Sequence, residues 1–201
     1  MARVSFAGLK RVGIALGWVV LFVAIGIGGT IGMAELVPGW GGQPWSIARN
    51  GVYEVTGFGL ATWIVGRLLN KYSWDRMGWH TQPGGLWPRL LRGIGLGALM
   101  AMLAIGLAFV LDRATVHRTG DWSVWPSVVV PLGLGLVLAA LGEELMFRGY
   151  PMRRLADAIG PLPAMLILAA LFGVAHARNP YATFFSTVNV ALAAIWLSFA
   201  S

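Results

Sequence analysis

The chain has 201 residues, 57% of them hydrophobic and only 11% charged, with a mean hydropathy of +0.72. Soluble globular domains carry roughly 25% charged residues, so the composition argues against a soluble domain and for a membrane-embedded one. The absence of cysteine removes disulfides, thiolate metal ligands and a cysteine nucleophile, and the net charge of +7 is spread between apolar runs instead of lying on one face, which reads as membrane topology and not as a nucleic-acid partner.

A bilayer core of about 30 Å needs ~20 helical residues to cross it. Six apolar stretches reach or approach that length, near 12–34, 51–69, 93–111, 127–157, 161–178 and 183–200. The expected fold class is therefore all-α, a multispanning transmembrane helix bundle of about six spans. The first stretch follows Lys10 and Arg11 but is too long for a signal peptide and lacks an A-x-A cleavage site, so it reads as an uncleaved membrane helix. The second carries Glu54 and ends at Arg67. The segment 70–92, NKYSWDRMGWHTQPGGLWPRLLR, reads as a basic, tryptophan-rich loop with a short interfacial helix. Prolines 38, 44, 83, 88, 126, 161 and 163 punctuate the connections. Tryptophans 40, 45, 74, 79, 87, 122 and 125 fall near span ends, where amphipathic rings prefer to sit. With the N-terminus inside, 11 of the 15 basic residues fall on the inner side, which favours a cytoplasmic N-terminus. The glycines of PLGLGL at 131–136 read as close helix packing, because no strand-to-helix turn gives them a nucleotide-binding context.

The fourth stretch ends in LGEELMFRGY, residues 141–150. Each ionisable group placed at the centre of a spanning helix costs about 2.5–3.5 kcal/mol on insertion scales, so such groups normally pair, face the bundle interior and serve a function. On one regular helix over 127–157, Glu144 and Arg148 stand at i and i+4 and pair on one face, while Glu143 points about 140° away from Arg148. One carboxylate is then neutralised by the arginine and the other is left for a separate task, such as that of a general base.

The next stretch carries LFGVAHARNP, with Phe172 and His176 at i and i+4. Between the two lies DAIGPLP, a turn centred near Gly160. Glu143 stands 17 residues before that glycine and His176 stands 16 after it, so an antiparallel hairpin sets the two at nearly the same depth. Pro151 is able to bend the first helix and shift this match by a turn. A carboxylate facing an imidazole suits either a metal-bound water activated by the carboxylate or a carboxylate that activates water directly. His80 and His117 read as solvated loop residues. Glu54 reads as a packing contact in preference to a cavity-lining group, and Asn189 as an interhelical hydrogen-bonding group or a residue reaching the site.

The pair of motifs Glu-Glu-x-x-x-Arg (EELMFR) and Phe-x-x-x-His (FGVAH) resembles the CAAX-processing and bacteriocin-processing (CPBP, or Abi) family of intramembrane proteases, over roughly residues 125–201. The resemblance implies a division into a transmembrane region at 1–124 and a protease core at 125–201. It implies an intramembrane endopeptidase in which Glu143 activates water and His176 is a zinc ligand or an oxyanion-stabilising group, with Glu144, Arg148 and Phe172 supporting them. It further implies a membrane-associated peptide or protein substrate, a place in the bacterial inner membrane, and zinc as a cofactor in one of the two mechanisms described for the family. The family pattern continues with a His-x-x-x-Asn motif that this sequence does not contain. Glu143 with His176 supplies at most two of the three ligands that a catalytic zinc takes, and the chain reads as a piece of a longer protein in preference to a truncated relative. The rival reading is a non-catalytic immunity or partner-binding protein built on the same helices; proton-coupled transport through Glu54 and Glu143 is a third.

Overall fold

The computed structural model describes residues 6–79, 85–115, 117, 120 and 122–199. All the regular structure among these residues is helical, with no strand among them. Helix α1 is Phe6–Leu36; α2 is Ser46–Ala61 and continues as a π-helical segment, Thr62–Leu69. Helix α3 is Leu86–Val110, α4 is Trp125–Glu143 with a π-helical end at Glu144–Arg148, α5 is Tyr150–Ile159, α6 is Pro161–His176 and α7 is Phe184–Phe199.

Three helical runs are long and apolar enough to cross a membrane: Phe6–Leu36, Leu86–Val110 and Trp122–Ile159. Helices α6 and α7 are also apolar but have 16 residues each, a length of about 24 Å. The second expected span forms one helical run over 46–69 but carries Arg49, Glu54 and Arg67. Many large apolar side chains face outward, among them Val20, Ile31, Val137, Leu171 and Leu192, as lipid-facing surfaces do. The chain is an integral membrane protein.

The structure departs from the expected boundaries in two informative places. Among the described residues of 70–92, the expected interfacial helix is a short turn at Asp75–Met77, and α3 begins inside that segment. Gly85, at φ +79°, makes the turn, and Pro88 sits in the first helical turn, where its missing N–H costs nothing. The stretch 127–157 is not one regular helix. At 38 residues, the run 122–159 would measure about 57 Å if straight, nearly twice the hydrocarbon thickness. It widens into a π-turn, closed by Gly149 N–H donating to Glu144 O at 2.8 Å, and breaks at Gly149 (ψ −121°) before Pro151 opens α5. A proline cannot donate to the carbonyl four residues back and its ring clashes there, so the bend falls in the turn that precedes it.

Two compact units are present, one of Met1–Gly78 with Pro126–Ser201 and one of Trp79–Trp125. In the second, α3 is apolar beyond Arg92, and Trp122 stacks on Trp125 at 4.8 Å. The first holds the core. Helices α1 and α2 cross at Gly26, Gly29 and Gly57, where a β-carbon on Gly29 would stand 2.9 Å from Gly57 Cα. Small residues let two helices approach this closely in lipid. Beside the crossing, Phe22, Phe58, Tyr72 and Tyr150 form an aromatic cluster with centroid separations of 5.3–5.8 Å. It ties α1, α2 and the loop after α2 to the start of α5. Gly51 and Gly135 bring α2 against α4: a β-carbon on Gly135 would meet Ala48 N at 2.8 Å. The expectation of close packing at 131–136 thus holds at Gly135, while Gly133 faces open space.

Candidate active site

The site grows from the hairpin of α5 and α6 and from the π-turn that precedes it. Gly160 links the two helices at φ +89°, ψ 159°, a conformation essentially confined to glycine. Pro161 then starts α6 with its torsion already helical. Leu155 of α5 packs on Ala164 and Leu168 of α6, and Phe147 meets Phe172 edge-on at 5.1 Å. These contacts fix the register of the hairpin. They bring His176 Nε2 to 3.5 Å from Glu143 Oε1, with both side chains half-buried. The depth match read from the 17- and 16-residue spacings is realised despite the bend at Gly149.

The tautomer of His176 follows from its second contact. Nδ1 lies 2.8 Å from the Phe172 carbonyl, and a carbonyl oxygen only accepts, so Nδ1 carries a hydrogen. The Nε2 that faces Glu143 is then a lone pair in neutral histidine and an N–H in the protonated ring. The contact becomes an ion pair only in the second case. In the first, two acceptors confront each other with no hydrogen between them.

Arg148 pairs with Glu144, as the i,i+4 spacing predicts. Burial is divided unequally between them. The arginine side chain is 8% exposed and the glutamate 45%, because the π-turn rolls Arg148 inward. Its guanidinium stands 5.6 Å over the Phe172 ring, whose own carbonyl holds His176 and whose ring packs 4.4 Å from the imidazole. Glu144, Arg148, Phe172 and His176 therefore form one continuous chain of contacts ending at Glu143.

Glu54 is the residue whose position the sequence left least clear. Its side chain lies on Gly142, where an added β-carbon would meet Glu54 Oε2 at 3.2 Å, and its charge is close enough to act on Glu143. The packing contact is present, but it also delivers a second carboxylate to the site. A charged residue inside an otherwise apolar span was the signal available for this. Asn189 does not meet either expectation: it is exposed and makes no side-chain hydrogen bond among the described residues, because α7 turns Ala191 and Ala194 toward α6 instead. His117 is an exposed loop residue beside Thr115 Oγ1, at 2.9 Å. His80 lies outside the described residues. A cavity of about 220 Å³ opens beside His176, lined also by Asn179, Tyr181, Ser186, Thr187 and Val190.

Among the described residues no three histidine, aspartate or glutamate side chains gather as a metal set. Glu143 and His176 together do not make the three-ligand donor set of a catalytic zinc.

The carboxylate–imidazole pair thus stands half-buried between two helices of an apolar bundle. Residues 124–201 match the family model of type II CAAX prenyl endopeptidase Rce1-like proteins. Over this segment the chain is similar to that family, which is a family of membrane proteases. No curated protein and no solved structure matches the chain.

Proposed function

We propose that the chain is an endopeptidase that hydrolyses a peptide bond of a membrane-associated peptide or protein, with Glu143 as the base that activates water. The observation that carries this is the approach of His176 Nε2 to Glu143 Oε1, 3.5 Å apart on neighbouring helices. Glu143 takes a proton from water as the oxygen bonds to the scissile carbonyl carbon. In its protonated form His176, held through Nδ1–H to the Phe172 carbonyl, offers Nε2–H to the oxyanion that develops there. Collapse breaks the carbon–nitrogen bond, and Glu143 returns the proton to the departing amine. Glu144 and Arg148 are positioning residues: their pair keeps the π-turn and the Phe172 ring in place.

A prenylated protein carboxyl terminus is the substrate class that the family description favours, and the cavity beside His176 gives such a chain end a place to lie. The excess of basic residues between spans favours a cytoplasmic N-terminus in a bacterial inner membrane. Zinc would require a third ligand from outside the described residues. In the carboxylate mechanism, treatment with a chelator leaves hydrolysis unchanged.

The test is to assay Glu143→Gln and His176→Ala chains, inserted and folded like the wild type, for cleavage of membrane-anchored peptides. Loss of cleavage in both supports the reading. A biological phenotype that survives Glu143→Gln at full strength would instead favour non-catalytic immunity or partner binding. A pH-dependent ion flux in proteoliposomes that Glu143→Gln abolishes would favour proton coupling with Glu54.

A further inference from the structure

Away from Glu143, near the N-terminal end of α1, a second cavity of about 330 Å³ is lined by Arg11, Ile14, Ala15, Arg154, Asp157 and Ala158. We infer that it binds the phosphodiester headgroup of an anionic membrane lipid, held between the guanidinium groups of Arg11 on α1 and Arg154 on α5.

The charge balance points to an anion. Asp157 is the only carboxylate among the described residues lining the cavity, and its Oδ2 already accepts from Tyr72 Oη at 2.5 Å and from Arg76 Nη2 at 2.8 Å. Arg76 in turn lies over the Tyr72 ring at 4.3 Å. Asp157 Oδ2 is thus already engaged by two donors. Arg11 makes no hydrogen bond or ion pair among the described residues. Arg154 reaches Tyr72 Oη only at 3.5 Å, which leaves its guanidinium without a close acceptor. A phosphate oxygen is an acceptor that a guanidinium fits well.

Position identifies the source of the phosphate. The apolar run of α1 starts at Val12 and continues to Ala34, about 35 Å of helix, which fills the hydrocarbon layer. Arg11 therefore stands at its boundary, at headgroup level. Ile14, Ala15 and Ala158 give the cavity an apolar floor where glycerol and the first acyl carbons would rest. Helix α5 carries Arg153, Arg154 and Asp157 among its ten residues, which suits the interface and not the hydrocarbon. Basic pockets between spanning helices are a recurring means of holding anionic headgroups, and the volume falls within the roughly 300–1,000 Å³ of small-ligand sites. A zwitterionic choline lipid would bring a cation toward two guanidiniums, which disfavours it.

The experiment uses the full chain in vesicles of phosphatidylcholine with or without phosphatidylglycerol. The readouts are the lipid retained, by native mass spectrometry, and the thermal midpoint from tryptophan fluorescence. Phosphatidylglycerol is expected to be retained and to raise the midpoint. Arg11→Gln should weaken retention by about fivefold, and Arg11→Gln with Arg154→Gln by roughly thirtyfold. Arg154→Lys keeps the charge and should retain most of the binding, while Lys10→Gln, outside the cavity lining, should not alter it. Arg11 makes no hydrogen bond or ion pair among the described residues, so the single variant keeps the test decisive if the double variant does not fold. Equal retention by wild type and Arg11→Gln would overturn the proposal. So would inorganic phosphate raising the midpoint as far as the lipid does, since the occupant would then be free phosphate.

Discussion

Replacing Gly57 by alanine tests how closely α1 and α2 must approach for α2 to present Glu54 to the site. A β-carbon at Gly57 would press into the Gly26 carbonyl and stand 2.5 Å from Thr30 N. Both are backbone atoms of a helix, so no side-chain rotation relieves the clash, and the two helices must separate. Overpacking of this kind costs about 1–3 kcal/mol, and the rigidity of the neighbours puts it toward the upper end. Against this, glycine to alanine within a helix gains roughly 0.5–1 kcal/mol. The net loss is about 1–2 kcal/mol, a fall in Tm of roughly 2–8 °C for a chain of this length. Gly59, two residues along the same helix, has nothing within 4 Å of an added β-carbon. Gly59→Ala keeps the gain without the clash and should raise Tm by roughly 1–4 °C. Thermal unfolding of the chain in detergent, followed by tryptophan fluorescence, measures both. A Gly57→Ala chain as stable as the wild type would refute the close crossing and with it the placement of Glu54.

Further outcomes follow from the same geometry. Glu144→Gln strips the carboxylate from an arginine side chain that is only 8% exposed and should cost about 1–3 kcal/mol, below the 3–5 of a fully buried pair because Glu144 itself is half-exposed; an unchanged denaturation midpoint would refute the pairing. Arg148→Ala should also destabilise, through the lost packing over Phe172, and should lower activity by loosening His176. Gly160→Ala places a side chain at φ +89°, ψ 159° and should cost about 1–3 kcal/mol, seen as a lower Tm with cleavage reduced in parallel. Burial, then the hydrogen bond to Asp157, raises the Tyr72 phenol above its ordinary range. The neutral phenol is the form the fold favours, so this contribution is intact below pH ~10 and is lost as pH rises through the raised value. In an absorbance titration, Tyr72→Phe should remove a late-ionising tyrosine and leave the amplitude near pH ~10 unchanged.

Much of the site could be read from the sequence because it rests on local spacing. Glu144 and Arg148 meet at i,i+4 whether the turn is α or π, and Glu143 meets His176 because both are counted from the same glycine turn. What the spacing could not supply was the roll of the helix. The π-turn before Pro151 buries Arg148 and leaves Glu144 half-exposed, a division that i,i+4 spacing does not reveal. Glu54 was visible as a charge in an apolar run, but its neighbour, Gly142, is 88 residues away and is reached only by folding. Asn189 shows the opposite failure. A polar residue on an apolar helix suggested a hydrogen bond, yet α7 packs through its alanines and leaves the amide outside. The count of spans was limited in the same way, since apolar length alone does not distinguish the 16-residue helices α6 and α7 from longer ones whose ends lie in loops.

If Glu143 activates water for peptide hydrolysis, product must be released from a defined substrate and released only when that carboxylate is present. The purified full chain, reconstituted in lipid vesicles, would be incubated with a farnesylated peptide ending in a CAAX sequence, and the released carboxyl-terminal tripeptide followed by mass spectrometry. Tripeptide release is expected from the wild type and none above background from Glu143→Gln, with both chains equally folded and inserted. Release by Glu143→Gln at the wild-type rate would contradict the role of Glu143 as the base.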